Sequence, residues 1–312
     1  MALPHRLSST QVRVAGVIAA GAVGTSIWHA LRLPTALRDA RARLSGYGAV
    51  TAELSHGEMT YVDRGSGEVI LSAHGLYGGY DQAFDNVATL AGSHRVIAPS
   101  RLGYPGSAVR GGGSPEDQAL AYVELLDHLG IDRVFVLGAS AGGTPAIRMA
   151  LDHPGRVKGL ILYCSAAPWP KRPERPPGRQ GPPAAVNRDW AMWMLSPLFP
   201  LALGLPRSTI HSMLPLSERS RGADLDARVT NRDMAVRFED YPIESLEPPV
   251  LLIHARDDRV SRFGPPGGHV EQSLPRYPRL TTLILDDGGH LLTGHSQQID
   301  AVVTRFISEH AG

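Results

Sequence analysis

A serine lies between two glycines at the point where a strand pattern changes into a helical pattern. Residues 134–137, Val-Phe-Val-Leu, are apolar and rich in β-branched and aromatic side chains, which is typical of a buried strand. Gly-Ala-Ser-Ala-Gly follows at residues 138–142, and residues 141–153 have a helical pattern that ends before Pro154-Gly155. Small residues on both sides of Ser140 permit a sharp turn that exposes its hydroxyl.

The Gly-x-Ser-x-Gly pattern alone also fits an ordinary structural turn. The chain has 34 glycines, so such a match arises by chance more readily than in an average sequence. The strand before it and the helix after it distinguish this match, because a nucleophile elbow needs that strand-turn-helix context. The sequence therefore predicts an elbow that presents Ser140.

Strand patterns alternate with helical patterns along most of the chain. The strand-like runs are at residues 58–64, 69–73, 95–98, 133–137, 159–163, 250–254 and 281–285. The helical candidates are at residues 81–91, 115–129, 141–153 and 297–310. This alternation predicts an α/β fold with a mostly parallel, doubly wound sheet. Fully apolar strands such as residues 250–253 indicate that helices cover both faces.

The alternation stops between residues 167 and 242. There a passage rich in proline and arginine leads into an apolar, tryptophan-containing run at residues 190–199. We expect this segment to be an inserted helical cap. The predicted organisation is a hydrophobic N-terminal segment with a linker helix, a first core part, the cap and a second core part, at residues 1–45, 46–166, 167–242 and 243–312.

Large apolar side chains in a cap can form the roof of a substrate pocket. Tyr77, Trp190, Trp193 and Met194 are therefore candidate substrate-binding residues. The alternative is that the cap residues pack against one another, as Met and aromatic side chains at helical spacing commonly do.

Composition excludes several classes of function. The formal net charge is +1 and no long Lys/Arg block occurs, so nothing indicates nucleic-acid binding. The single cysteine, Cys164, cannot form an intrachain disulfide and ends an apolar strand pattern. No Cys/His cluster has the spacing of a zinc site. The sequence therefore predicts neither a metal nor a cofactor.

Residues 14–31 contain no Asp, Glu, Lys or Arg and have basic residues on both flanks. Their number is at the lower edge of the about 17 to 25 residues that a membrane span needs, and alanine and glycine dominate. A signal anchor, a cleaved signal peptide and a helix packed on the domain all fit this pattern. An anchor would make the protein membrane-associated; otherwise a cytoplasmic or a secreted location remains open.

An exposed serine becomes a nucleophile only when a base accepts its proton and an acid orients that base. The expected chain order is Ser, then Asp or Glu, then His. Asp258 follows the predicted strand at 250–254, and His290 follows Gly-Gly after the strand at 281–285. We therefore predict Asp258 as the acid and His290 as the base. Spacing alone does not separate Asp258 from Asp257.

The negative oxygen formed when a nucleophile attacks a carbonyl needs two backbone N–H donors. One comes from the residue after the serine and the other from a loop after an early strand. These donors are predicted to be Ala141 and Leu76. Leu76 follows His74-Gly75 and precedes a glycine-rich turn, where His74 is expected to orient the loop.

These motifs resemble the α/β-hydrolase family from about Glu53 to the C-terminus. The resemblance rests on His74-Gly75, the elbow at residues 138–142, Asp258 and His290. Within the family, the chain looks most like bacterial hydrolases with a motif like that at residues 98–104, although many members have Asp where this chain has Ser100. Ser140 in place of an aspartate argues against the haloalkane dehalogenase and epoxide hydrolase branches.

The resemblance and the motifs together predict a serine hydrolase that cleaves a small-molecule or lipid ester through an acyl-enzyme. The same serine chemistry also serves carbon–carbon bond, lactone or amide hydrolysis and perhydrolysis. Two other classes remain open: a non-catalytic binding protein on this scaffold, and a membrane-tethered interaction protein. The sequence does not determine the physiological substrate or the oligomeric state.

Overall fold

The computed structural model describes residues 27–55, 57–109 and 111–312. Within these ranges the chain forms an eight-stranded sheet. The strands are Val50–Leu54 (β1), Gly57–Arg64 (β2), Val69–Ala73 (β3), Arg95–Pro99 (β4), Val134–Ala139 (β5), Val157–Tyr163 (β6), Val250–Ala255 (β7) and Leu280–Leu285 (β8). Their spatial order is β1-β2-β4-β3-β5-β6-β7-β8. β2 pairs antiparallel with β1 and β4, and all other pairs are parallel.

Helices cover both faces of this sheet, as the apolar strand patterns predicted. The α-helices are Leu33–Ser45 (α1), Tyr80–Asp85 (α2), Pro115–His128 (α3), Gly143–Asp152 (α4), Asp189–Leu195 (α5), Phe199–Leu203 (α6), Thr209–Met213 (α7), Ser220–Leu225 (α8), Asn231–Val236 (α9), Val270–Ser273 (α10) and Ser296–His310 (α11). In β5, Val134 and Val136 pack with α3 and α4, whereas Phe135 and Leu137 pack with α2 and α11. The predicted doubly wound α/β fold is confirmed.

Two elements differ from the sequence prediction. The edge strand β1 was not predicted, because Ala52 alone of its five residues is buried and the run lacks an apolar signal. The helix expected at residues 81–91 is divided into α2 and a 3-10 helix, Ala88–Gly92. Val87 lies between them in a non-helical conformation, with φ −137°, and is buried in the core. Tertiary packing of Val87 therefore overrides the local helical pattern.

Helices α5 to α9 all lie between β6 and β7, in the segment expected to form a cap. Two fully buried arginines link this segment to the core through ion pairs. Arg101, after β4, pairs with Asp226, which begins a short π-helical turn, Asp226–Thr230, between α8 and α9. Arg219, immediately before α8, pairs with Asp81 of α2. The division into domains itself remains a prediction.

Asp81 also holds the helix that precedes the sheet. Its carboxylate accepts hydrogen bonds from Arg219 at 2.8 and 3.1 Å and from Arg43 of α1 at 2.6 Å. Burial by itself would raise the pKa of Asp81, but the two guanidinium groups outweigh it and lower that pKa below its usual value. One carboxylate therefore ties α1, α2 and the cap segment together.

Most of the hydrophobic segment at residues 14–31 lies outside the described residues. Its last part, residues 27–31, is helical and contacts the cap segment. The His29 ring stacks on Trp193 at 4.7 Å, and the Trp193 indole donates to the His29 carbonyl at 2.8 Å. No helix in the described part of the chain is long and apolar enough to cross a membrane. The anchor therefore stays a prediction.

Replacing Asp81 with asparagine is expected to lower the free energy of unfolding by about 3–5 kcal/mol, because two guanidinium groups lose their counter-charge at a buried site. The contribution of Asp81 is present in full above about pH 4, the usual aspartate pKa. It is lost as the pH falls through the lowered pKa of the folded protein. Urea unfolding of Asp81→Asn and wild type should therefore differ at pH 7 and converge in acid.

The control for this change is Asp63→Asn, which breaks the partly exposed pair with Arg95. Exposed pairs contribute about 0–1 kcal/mol, so this variant should remain close to wild type at pH 7. Equal losses in the two variants would contradict the role assigned to Asp81.

Candidate active site

Ser140 occupies a strained turn directly after β5. Its φ is +50°, in the left-handed region that non-glycine residues rarely adopt. The turn brings the backbone very close to its neighbours: a Cβ at Gly142 would lie 2.4 Å from the carbonyl oxygen of Ala73. A Cβ at Gly138 would lie 2.7 Å from the Cα of Gly143. Both glycines are therefore required by space, as the elbow motif predicted.

The structure brings Ser140, His290 and Asp258 into one hydrogen-bonded chain. His290 lies in a short 3-10 helix after β8, Gly289–Leu291, and its Nε2 is 3.0 Å from the Ser140 Oγ. Its Nδ1 is 2.8 Å from the Asp258 Oδ2. A carboxylate only accepts hydrogen bonds, so Nδ1 carries the proton and Nε2 is left to accept from the serine hydroxyl. This is the arrangement that activates a serine.

Asp258 and Asp257 point to different partners. The other oxygen of Asp258, Oδ1, accepts from the backbone N–H groups of Val260 at 2.7 Å and Ser261 at 3.0 Å. Asp257 instead accepts from the Gly289 N–H at 2.8 Å and is exposed. Asp258 thus contacts His290 directly, whereas Asp257 holds the loop that carries His290.

The surroundings of Asp258 keep it ionised. Its side chain is buried, which alone would raise its pKa. The hydrogen bond from His290, together with that from the Val260 N–H, outweighs burial, and the pKa of Asp258 lies below its usual value. An ionised carboxylate beside the imidazole holds its ring in one orientation through the hydrogen bond to Nδ1.

Leu76 and Ala141, the predicted oxyanion donors, border the same cavity as Ser140. The loop after β3 comes close to the serine, since a Cβ at Gly75 would lie 3.0 Å from the Ser140 Cβ. The Gly75 N–H is engaged as well, since it donates to the Gln82 side chain at 2.9 Å. The loop that carries Leu76 therefore lies against Ser140, and Ala141 follows Ser140 directly in the turn.

The His74 side chain makes a hydrogen bond to the loop that carries Leu76. Its Nε2 accepts from the Arg101 N–H at 2.9 Å, so its Nδ1 carries the proton and donates to the Gly75 carbonyl at 2.7 Å. Complete burial and the nearby Arg101 charge lower the pKa of His74 well below its usual value. His74 is therefore neutral and structural, in agreement with the role expected from the sequence.

A cavity of about 1200 Å³ opens beside Ser140 and His290. Its lining is largely apolar, and the cap segment contributes Met192, Leu195, Leu198, Phe199, Leu203 and Met213. Tyr77 also lines the cavity, and its phenol donates to the Asn187 side chain. The cap and the oxyanion loop therefore share one wall of the cavity.

The prediction that Trp190, Trp193 and Met194 line the cavity is wrong. None of the three is among the residues that line the cavity: Trp190 is 61% exposed, and Trp193 and Met194 pack in an apolar cluster with α1. A helix turns by about 100° per residue, which places these three side chains on one face of α5. Met192 and Leu195 occupy the opposite face, which lines the cavity. The spacing of three residues between Met192 and Leu195 is the sequence signal that could have identified the cavity-lining face of α5. The presence of tryptophan is not such a signal.

Cys164, His254 and Asp258 place their potential ligand atoms within 4.8 Å of one another. Two of these groups already donate hydrogen bonds. The Cys164 thiol donates to the Gly289 carbonyl at 3.8 Å, and His254 Nε2 donates to the Ser261 carbonyl at 2.7 Å. Burial and the Asp258 charge raise the pKa of Cys164 far above its usual value, so it is a thiol rather than a metal-binding thiolate. These residues are better suited to supporting Asp258 than to holding a metal.

Comparison with known proteins shows the family to which the chain belongs. A family model described as the alpha/beta hydrolase family matches residues 69–305. The chain belongs to this family. It is 36% identical over 112 residues to "Uncharacterized hydrolase YcgS" of Bacillus subtilis, covering 36% of this chain and 39% of that protein. It is 33% identical over 111 residues to "Haloalkane dehalogenase 2" of Mycobacterium tuberculosis, covering 35% of this chain and 38% of that protein.

The chain thus spans about two fifths of the length of these curated relatives. Among solved structures, it resembles an esterase from Exiguobacterium antarcticum with a TM-score of 0.67 and 20% sequence identity. That match covers 83% of this chain and 99% of the other, and at this identity it shows the fold alone.

Substituting alanine for Gly142 should destabilise the protein by about 1–3 kcal/mol, the usual cost of adding a methyl group to a close-packed site. The clash is with main-chain oxygens of Ala73 and His74, which cannot rotate away as a side chain would. Urea unfolding measured by tryptophan fluorescence gives the change.

The matched control is Gly155→Ala, because a Cβ at Gly155 meets no atom within 4 Å. It should unfold within about 0.5 kcal/mol of wild type, as substitutions at unconstrained surface positions do. Similar stability of the two variants would show that the elbow tolerates a larger residue.

Proposed function

We propose that this alpha/beta hydrolase is a serine hydrolase that cleaves carboxylic esters through a covalent acyl-enzyme. The observation that carries the proposal is the continuous chain from Ser140 Oγ to His290 to Asp258, at 3.0 and 2.8 Å. The distances fit the hydrogen-bonding roles that the chemistry requires: a hydroxyl that donates, an imidazole nitrogen that accepts and a carboxylate that accepts from the other ring nitrogen.

In this mechanism Ser140 Oγ attacks the ester carbonyl carbon while His290 Nε2 takes its proton. The carbonyl oxygen becomes negative and accepts hydrogen bonds from the Leu76 and Ala141 N–H groups. His290 then gives its proton to the leaving oxygen, and the alcohol departs from an acyl-serine. Water, deprotonated by His290, attacks the acyl carbon, and the acid is released with Ser140 restored. Asp258 stabilises the imidazolium that forms in each half-reaction.

The cavity supports a lipophilic acyl or alcohol group as the substrate portion next to the ester. Ligand pockets commonly have volumes of about 300–1000 Å³, so a cavity of about 1200 Å³ has room for a long chain or a bulky ring. Leu195, Leu198 and Phe199 offer apolar surface there. Burial of each methylene group against such surface contributes about 0.8 kcal/mol. Binding should therefore strengthen as the chain is lengthened.

The residue type at position 140 also matters for the comparison with the relative named as a haloalkane dehalogenase. That name describes displacement of a halide, for which the nucleophile in this fold is a carboxylate, and this chain has a hydroxyl at its elbow. A serine activated by an imidazole is suited to attack on a carbonyl carbon. This difference favours an ester over a halide as the group attacked.

Hydrolysis of p-nitrophenyl esters of increasing chain length by wild type and Ser140→Ala tests this proposal. Wild type should cleave these esters, with kcat/KM rising beyond the acetate. Ser140→Ala should lower kcat by about 10⁶-fold, as removal of the serine does in a serine protease. Equal turnover by both proteins would exclude Ser140 as the nucleophile. No turnover of any ester by wild type would favour carbon–carbon or amide hydrolysis, or binding without catalysis.

The neighbouring aspartates provide a matched pair for the role of the acid. Asp258→Asn should lower kcat by about 10⁴-fold, because an amide can donate to His290 Nδ1 and stabilise the wrong tautomer. Asp257→Asn keeps an oxygen that can accept from the Gly289 N–H and should change kcat by less than about tenfold. A larger loss in Asp257→Asn than in Asp258→Asn would reverse the assignment.

A further inference from the structure

A carboxylate of the cap segment is connected, through one arginine, to the loop that carries the candidate oxyanion donor Leu76. Asp226 accepts from both terminal nitrogens of Arg101, at 2.7 and 2.5 Å, and from the Tyr104 phenol at 2.5 Å. Asp226 and Arg101 are completely or almost completely buried. Arg101 follows β4 and therefore belongs to the core, so this ion pair crosses from the cap to the core.

The other contacts of Arg101 reach the main chain of the oxyanion loop. Its Nη2 lies 3.3 Å from the Gly75 carbonyl oxygen, and its backbone N–H donates to His74 at 2.9 Å. The same Gly75 oxygen accepts from His74 Nδ1 at 2.7 Å and from the Gly78 N–H at 3.3 Å. One carbonyl oxygen is therefore held by an imidazole, a guanidinium group and an amide.

That carbonyl belongs to the peptide unit that contains the Leu76 N–H. The Gly75–Leu76 bond is not among the cis bonds of the chain, and in a planar trans peptide the C=O and N–H point in opposite directions. Donors that fix the direction of the Gly75 oxygen consequently also fix the direction of the Leu76 N–H. A positive charge near the oxygen also polarises the amide and makes its N–H a stronger donor.

Asp226 determines where that charge lies. Its two oxygens match the fork of the guanidinium group, which holds Arg101 in a single orientation. Without the carboxylate, a buried guanidinium group would lose its counter-charge and would have to move or become hydrated. Either change would alter the contact between Nη2 and the Gly75 oxygen.

We propose that Asp226 and Arg101 are positioning residues through which the cap orients the Leu76 oxyanion donor. The inference rests on the proposed ester hydrolysis and adds a dependence of that site on the cap. Neither residue is among those that line the cavity. Removal of the pair should therefore weaken stabilisation of the transition state without weakening binding of the ester itself.

The experiment compares Asp226→Asn with Asp233→Asn. Asp233 is also a buried carboxylate of the cap segment and also accepts from a tyrosine phenol, that of Tyr241 at 2.5 Å, but this tyrosine lies within the cap segment. Kinetics with the best p-nitrophenyl ester give kcat and KM. Inhibition by a trifluoromethyl ketone of the same chain length reports on the oxyanion site. The serine oxygen adds to the ketone carbon, which becomes tetrahedral, and the carbonyl oxygen becomes negative.

For Asp226→Asn we expect kcat to fall at least about tenfold, somewhat less than the about 10²–10³-fold loss when an oxyanion donor is removed. KM should change less than about twofold, and the inhibition constant of the ketone should rise in proportion to the fall in kcat. Asp233→Asn should leave all three quantities close to wild type. Equal effects of the two variants, or a change confined to KM, would overturn the proposal.

A second variant tests the proposed role of the ion pair if Asp226→Asn does not fold. Arg101→Lys keeps the positive charge but loses the fork that reaches both Asp226 and the Gly75 oxygen. It should show the same parallel loss in kcat and ketone affinity, and an unchanged ketone affinity would overturn the proposal. Failure of the proposed ester hydrolysis would look different, since Ser140→Ala would then retain turnover.

Discussion

The tight turn at Ser140 is the constraint on which the rest of the site depends. A non-glycine residue with a φ of +50° is strained, and the packing around it must compensate. Compensation comes from close contact with β3, where Gly142 leaves no space for a side chain against the Ala73 carbonyl. The same contact that holds the turn also sets the distance between the serine and the loop after β3. Nucleophile and oxyanion loop are therefore positioned by one packing interaction.

Parallel strand pairing then gathers groups that are far apart in the sequence. The loops after β3, β5, β7 and β8 all emerge at the carboxyl edge of the sheet. Ser140 and His290 are separated by 150 positions, yet their side chains are 3.0 Å apart. Because β3, β5 and β7 are buried on both faces, the core fixes their register and with it the positions of the loops that follow them. The catalytic geometry proposed here thus depends on the hydrophobic core.

Buried charges connect the cap segment to this framework. Asp81 and Asp226 each neutralise a buried arginine across the boundary between core and cap. Such pairs contribute orientation rather than large net stability, because desolvation offsets much of their attraction. The carboxylate of Asp81 holds α1 and α2 together. The arginine paired with Asp226 contacts the Gly75 carbonyl oxygen in the loop that carries Leu76. The cap therefore supplies the apolar cavity wall and, by our inference, part of the support of the oxyanion site.

Local patterns of apolar residues and glycine in the sequence were enough to predict the α/β class and the elbow, and to single out Ser140 and His290 as candidates. The sequence did not separate Asp257 from Asp258, since adjacent side chains on a loop differ only in the direction that the folded loop gives them. It also misplaced the cavity wall, because tryptophan content does not reveal which face of α5 turns inward. Those choices belong to the tertiary structure, where distant segments decide which side of each element is buried.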